Sequence, residues 1–184
     1  MAASNTGVLK KALPFSLTVL IVLADQITKA YIADNWPIGT MITDVFNNDL
    51  LRIYHVRNKV IAFSLGTGLP ETVRPLLFII LPVAVLGFLC FFYWKSDEFA
   101  PLQRWAIAGI VGGGVGNLID RVFRPEGVVD FISVKFFGIF GFERWPTFNV
   151  ADSSVVVCVL IWLVSMFFKP SDCGASGGEK TEAA

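Results

Sequence analysis

Two aspartates stand where an apolar chain tolerates carboxylates least. Asp130 lies inside Gly127-Val-Val-Asp-Phe-Ile132 and Asp152 inside Phe148-Asn-Val-Ala-Asp-Ser153. A carboxylate flanked by two valines and two large apolar residues must point into a polar pocket or be protonated. An ionisable group at membrane depth is costly and marks a functional site. Two such groups brought together can share one proton. The ionised member then takes a proton from water while the protonated member donates to a scissile carbonyl oxygen, which is peptide hydrolysis at an aspartate pair. Neither a metal nor another cofactor is expected.

Other polar residues recur at helical spacing. Asp25 and Lys29, in Asp25-Gln-Ile-Thr-Lys29, are four apart and share a face, either as a helix-end ion pair with Lys29 snorkelling to the interface or as support for the site. Asn117, Asp120 and Arg121 follow i, i+3, i+4 spacing and are expected to point at one polar cavity, with a helix cap and a surface pair as the plainer alternative. Arg121 suits a carbonyl, carboxylate or phosphate oxygen. Asn149 and Asp152 repeat the i, i+3 spacing where an apolar run begins and the helix dipole favours an anion. A structural N-cap would account for one Asp but not for Asp130. The lone His55 has no partner motif and reads as structural. The chain contains no G-x-S-x-G or HExxH, and Gly112-Gly-Gly-Val-Gly116 lies in a spanning segment rather than after a strand, which argues against a nucleotide loop.

The elements that must position these groups are membrane helices. Of 184 residues 54% are hydrophobic and 17 are Phe, with a mean hydropathy of +0.64, so the chain reads as an integral membrane protein. The net charge is zero without a long basic run, which excludes nucleic acid as the main partner. Cys90, Cys158 and Cys173 have no ligand spacing and receive no role. Four apolar runs, about 13–33, 76–94, 102–119 and 151–168, are expected to span, and Gly112 and Gly116 form a GxxxG pair for close helix approach. Two connections, 35–74 and 121–147, are too long for turns. Residues 50–65 and 128–142 read as short strands, and 170–184 as a disordered tail. The expected fold is an all-α integral membrane protein with one peptidase domain over residues 1–169. A small transporter or channel is the alternative, but it predicts polar groups spread through the bilayer depth, whereas here they cluster toward one side.

In this order the motifs resemble the lipoprotein signal peptidase family, signal peptidase II. The matching pieces are Asp25-Gln-Ile-Thr-Lys29, Asn58 with Ala62-Phe63-Ser64, Gly116-Asn-Leu-Ile-Asp-Arg121, Val128-Val-Asp-Phe-Ile132 and Trp145-Pro-Thr-Phe-Asn-Val-Ala-Asp152, across about residues 15–168. The resemblance implies a bacterial inner-membrane aspartyl endopeptidase. It would cut the signal peptide of a prolipoprotein before its diacylglyceryl-modified cysteine, with Asp130 and Asp152 as the dyad. Asn58, Asn117, Arg121 and Asn149 match positions near the substrate or dyad. Asp25, Lys29 and Asp120 match positions that organise the site, and Phe63 and Ala151 belong to the same motifs. It further implies four helices, an extracytoplasmic β-cradle over 35–64, a mobile covering loop after Arg121, and inhibition by globomycin-type peptides. Membrane lipid is the surrounding partner, and a monomer is expected.

Both termini are expected in the cytoplasm and the site on the extracytoplasmic face. That orientation leans on the resemblance and on Lys10 and Lys11 beside the first span, because six basic residues would lie inside and eight outside. Val60 is a departure from the family, which has Gly there; valine resists backbone conformations that glycine permits.

Overall fold

The computed structural model describes residues 2–59, 70, 73 and 75–167, with side chains from Gly7 onward. Val60, Ala62, Phe63 and Ser64, Arg74, Cys173, the end of the fourth apolar run at Phe168 and the tail lie outside the described residues. The elements are α1 (Ala2–Ala12), α2 (Phe15–Asn35), β1 (Met41–Asp44), β2 (Leu51–Asn58), a π-helical stretch (Leu76–Ile80) leading into α3 (Leu81–Lys95), α4 (Pro101–Phe123), β3 (Val128–Ile139), β4 (Phe142–Arg144) and α5 (Val150–Ser165).

Proline punctuates the helices. Pro14 separates α1 from α2, since its ring and missing N–H interrupt a helix ladder. In α3 and α4 proline sits in the first turn, where an absent donor costs least. Three helical segments are long and apolar enough to cross a membrane, Gly7–Asn35, Leu76–Lys95 and Pro101–Phe123. The fourth apolar helix, α5, has 16 described residues, fewer than the roughly 20 that cover a hydrocarbon core.

α4 is the central helix, packed against α2, α3 and α5. Its glycines permit this on two sides. A Cβ on Gly112 would come within 3.1 Å of the Thr18 Cα, and one on Gly116 within 2.7 Å of the Asp25 carboxylate, so the expected GxxxG pair is the seat of α2. Gly113 faces α5, where a Cβ would run into the Ala151 carbonyl and lie 2.5 Å from the Ser154 hydroxyl. At the opposite end of the bundle, buried Tyr93 donates to the Lys11 carbonyl at 2.7 Å, and the Lys11 ammonium pairs with Asp97 at 2.6 Å. The α1–α2 junction therefore sits beside the α3–α4 connection.

The strands form one antiparallel four-stranded sheet in the order β1-β2-β3-β4, the small sheet expected beside the membrane helices, drawn from residues 128–144 as well as from 35–64. The segment after Arg121 is not a covering loop: it turns within a few residues into β3, which pairs with β2 in the middle of the sheet. The strand reading of 128–142 prevails because β3 buries Val128 to Phe131 in a row, as a strand covered on both faces does, with Val129 and Phe131 packed on Ile32 of α2. The loop expectation came from the resemblance alone. β1 lies between Pro37, Gly39 and the turn at Asn47–Asp49, too short to declare itself by alternation.

Gly113→Val should lower the melting temperature of the detergent-purified protein by the equivalent of about 1–3 kcal/mol through overpacking at the α4–α5 contact. Gly87→Val, where a Cβ meets nothing within 4 Å, should leave it nearly unchanged. Thermal unfolding of both variants checks this.

Candidate active site

The site lies where α2 and α4 end, α5 begins and β3 crosses. Asn149 is the N-cap of α5: its side-chain oxygen accepts from the Asp152 N–H at 2.9 Å, and Asp152 Oδ2 accepts from the Asn149 N–H at 3.2 Å. This reciprocal cap satisfies two donors that a helix start leaves open. Asp152 is thus the third residue of the helix rather than its cap. Its other oxygen, Oδ1, accepts from Asn117 Nδ2 at 2.7 Å. Phe148, just before the cap, exchanges backbone hydrogen bonds with Ile132, which ties the start of α5 to β3.

Asp130 reaches the same place from the sheet. Asn149 Nδ2 donates to its Oδ1 at 2.7 Å, and Asn58 Nδ2, from β2, donates to its Oδ2 at 3.1 Å. Asn149 Nδ2 also contacts Asn117 Oδ1 at 3.0 Å. Asn149 and Asn117 therefore form a continuous amide bridge from Asp130 to Asp152. Burial, and next the charge of Asp152, push the Asp130 carboxyl up to about 7, against the opposing pull of the Asn58 and Asn149 hydrogen bonds.

Behind the bridge lies a buried ionic cluster. Lys29 is wholly buried, so it does not snorkel. Its ammonium meets Asp25 Oδ2 at 2.8 Å, Asn117 Oδ1 at 2.9 Å and Asp120 Oδ2 at 3.3 Å. Asp25 Oδ1 accepts from the Ala151 N–H at 3.0 Å, and Asp120 Oδ2 from the Val129 N–H at 3.0 Å. Ala151, expected at the site, is fully buried and contributes through this backbone donor.

The expected triplet on α4 divides. Asn117 and Asp120 join this cluster, whereas Arg121 turns to the Phe78 carbonyl at 3.3 Å, with its guanidinium 5.6 Å from the Phe78 ring centre. Phe63 lies outside the described residues.

Gln26 was not anticipated. Its amide donates toward Asp25, the Gly116 carbonyl and Asp120 at 3.0–3.1 Å, so it closes the gap between α2 and α4. An amide adjoining the Asp25–Lys29 pair was the available signal. The backbone donors of Val129 and Ala151 have no sequence signature. His55 is structural, as expected: it is buried with Nδ1 2.7 Å from the Trp36 carbonyl. Arg52, Lys135 and Arg144 converge on Asp49, at 2.6, 3.2 and 2.8 Å, and knit the sheet.

The family described as Signal peptidase (SPase) II matches residues 17–168. The chain belongs to the signal peptidase II family. The lipoprotein signal peptidase of Treponema pallidum (strain Nichols) is 43% identical over 175 residues, 92% of this chain and 94% of that protein. That of Treponema denticola is 51% identical over 146 residues, 79% and 83% of the two chains. A bacterial membrane enzyme solved by the in meso method superposes with a TM-score of 0.71 at 29% identity, covering 85% of this chain and 88% of that one. Apolar helices carrying a small antiparallel sheet are thus the architecture of a membrane-embedded peptidase family.

Lys29→Met strands two buried carboxylates and should cost about 3–5 kcal/mol of stability, whereas Lys11→Met, which loses a pair with exposed Asp97 and a bond to the Trp94 carbonyl, should cost much less. Chemical denaturation in detergent compares them. Because the Asp130 pKa is higher folded than unfolded, the folded state binds more protons between about pH 4 and 7. Its contribution to stability is therefore fullest at the acid end and is lost as pH rises through 7. Asp130→Asn should remove this part of the pH dependence, gaining on the wild type between pH 5 and 8 in melting-temperature profiles.

Proposed function

We propose that this chain is an aspartic endopeptidase of the bacterial inner membrane that removes the signal peptide from diacylglyceryl-modified prolipoproteins. The observation that carries the reading is the amide bridge joining Asp130 and Asp152. It fixes two carboxylates from separate elements against one another, in a partly dry setting that favours one shared proton near neutral pH. In this reading Asp130 holds that proton. Asp152 then takes a proton from the attacking water, and Asp130 donates to the carbonyl oxygen of the scissile bond. Asn58 and Asn149 fix the orientation of Asp130, while Asn117 and the helix cap fix Asp152. The Asp25–Lys29–Asp120 cluster and Gln26 position these amides. Arg121 is the candidate contact for a substrate carbonyl, which would replace the Phe78 carbonyl on its guanidinium, and Phe63 belongs beside the substrate.

The sheet-bearing end is the extracytoplasmic one in this reading, and the sheet is the cradle on which the substrate lies. Four spans follow if α5 completes its crossing, with both termini and the α3–α4 connection in the cytoplasm. A lipid-anchored substrate then meets the dyad at the outer interface, where α5 begins. Globomycin-type peptides would inhibit by occupying the dyad, and the protein acts as a monomer.

The test is a gel-shift assay with purified protein in detergent, a diacylglyceryl-modified prolipoprotein and its unlipidated counterpart. Wild type should cut only the lipidated form. Asp130→Asn and Asp152→Asn should each lower the rate at least about 10²–10⁴-fold, since an amide keeps the shape but not the acid–base function. Near-normal cleavage by either folded variant removes that residue from the dyad. Absence of cleavage by folded wild type sinks the peptidase reading.

A further inference from the structure

The tip of the β3–β4 hairpin is apolar and exposed. Between Lys135 and Arg144, which face each other across the two strands, the chain reads Phe136-Phe-Gly-Ile-Phe-Gly-Phe-Glu143. Phe137 is 66% exposed and Phe140 86%, with Ile139 exposed beside them. Ile139 pairs with Phe142, so the strands close through a two-residue turn at Phe140 and Gly141. Both turn residues have positive φ, and so do Phe137 and Gly138. Asn-Gly is the ordinary sequence for such a turn, because L side chains resist left-handed backbone and asparagine resists it least. Here two phenylalanines adopt that backbone and hold their rings in the open.

Rings occupy both faces of the hairpin. Lys135 and Phe136 are successive residues of β3 and face opposite ways, as do Arg144 at the end of β4 and Trp145 after it. Phe136 and Trp145 pack at 5.0 Å on one face, while the Phe137 ring lies 5.6 Å from the Lys135 ammonium on the other. A surface that docks a folded partner is apolar on one side. A tip apolar on both suits a medium that surrounds it, and in a membrane protein that medium is lipid.

The base of the hairpin is cationic. Arg52, Lys135 and Arg144 converge on Asp49, which leaves a net positive charge there even with Glu143, the one charged residue of 136–143. An apolar tip followed by cations and a tryptophan repeats the order that a bilayer presents from acyl chain to phosphate headgroup. Other occupants fit less well. β4 has three residues, too short an edge to pair with a strand of another chain. Ile139 lies nine residues beyond Asp130 on β3, roughly 25–30 Å at about 3.3 Å per residue, so the tip is no part of the aspartate site.

We propose that the hairpin tip, residues 136–142, inserts into the bilayer leaflet at the sheet-bearing end, so that the sheet lies along the membrane surface. The rings of Phe137 and Phe140 occupy the boundary between acyl chains and headgroups, with Lys135 and Arg144 at the phosphates. This anchor fixes the depth and tilt of β3, the strand that carries Asp130. It is independent of the cleavage chemistry.

The test is photo-crosslinking of the unmodified protein in nanodiscs of phosphatidylcholine and phosphatidylglycerol, with a phosphatidylcholine that carries a diazirine on its acyl chain near the ester. Trypsin cuts after Lys135 and Arg144, so the tip is read as one peptide, residues 136–144. The reference is the tryptic peptide 12–29 of the first span, which exposes Val19, Leu20 and Leu23. Lipid adducts on 136–144 should reach at least about a third of the yield on 12–29, and Phe137→Ser/Phe140→Ser should lower them at least about fivefold while the reference yield stays the same. Absence of adducts on 136–144 while 12–29 is labelled overturns the proposal and leaves a second copy or a protein partner as the occupant. That outcome needs no variant, so it decides even if the double variant fails to fold. Unchanged labelling of the tip in the folded double variant overturns the proposal as well.

Discussion

One buried ammonium organises this molecule. Lys29 has three N–H donors and three acceptors around it, from Asp25, Asn117 and Asp120, and is wholly buried. Taking a charge out of water is costly, and the arrangement persists only because every donor is matched. The two carboxylates then act as relays. Asp25 uses its second oxygen to seize the backbone of α5 at Ala151, and Asp120 seizes the backbone of β3 at Val129. Those are the neighbours of Asp152 and Asp130. The positions of both candidate catalytic groups are measured from Lys29.

The glycines of α4 make those short distances possible. With Gly112 and Gly116 toward α2 and Gly113 toward α5, three helices approach closely enough for the Asp25 carboxylate to lie against α4 while bonding to α5. Larger side chains would separate the helices by more than a hydrogen bond can span. The sheet adds the remaining geometry. β2 and β3 bring Asn58 and Asp130 together, and the Phe148–Ile132 exchange aligns the cap of α5 with them.

Much of the site was legible because its polar residues lie on helices at fixed intervals. Asp25 with Lys29, Asn117 with Asp120, and Asn149 with Asp152 each share a face, as their spacing requires. What was illegible is tertiary. Gln26 matters for where α4 places its carbonyl and Asp120, and no local pattern encodes that. Arg121 parted from Asn117 and Asp120 because the Phe78 carbonyl competes for its guanidinium. The basic residues in excess on the sheet side have partners within the fold. Arg52, Lys135 and Arg144 are occupied by Asp49 within the sheet, and Arg57 and Arg124 have carboxylate neighbours, so these cations are parts of a folded structure rather than free flanking charges.

The hydrogen bond from Ala151 to Asp25 joins residues 126 positions apart. A chain emerges from the ribosome N-terminus first, so Asp25 and Lys29 are made long before the residue that completes their shell. Until α5 arrives, Asp25 lacks its backbone donor and Asn117 lacks the carboxylate it holds. The polar cluster is therefore completed only once α5 has been made and packed, so Asp130 and Asp152 are brought together late in the folding of the chain.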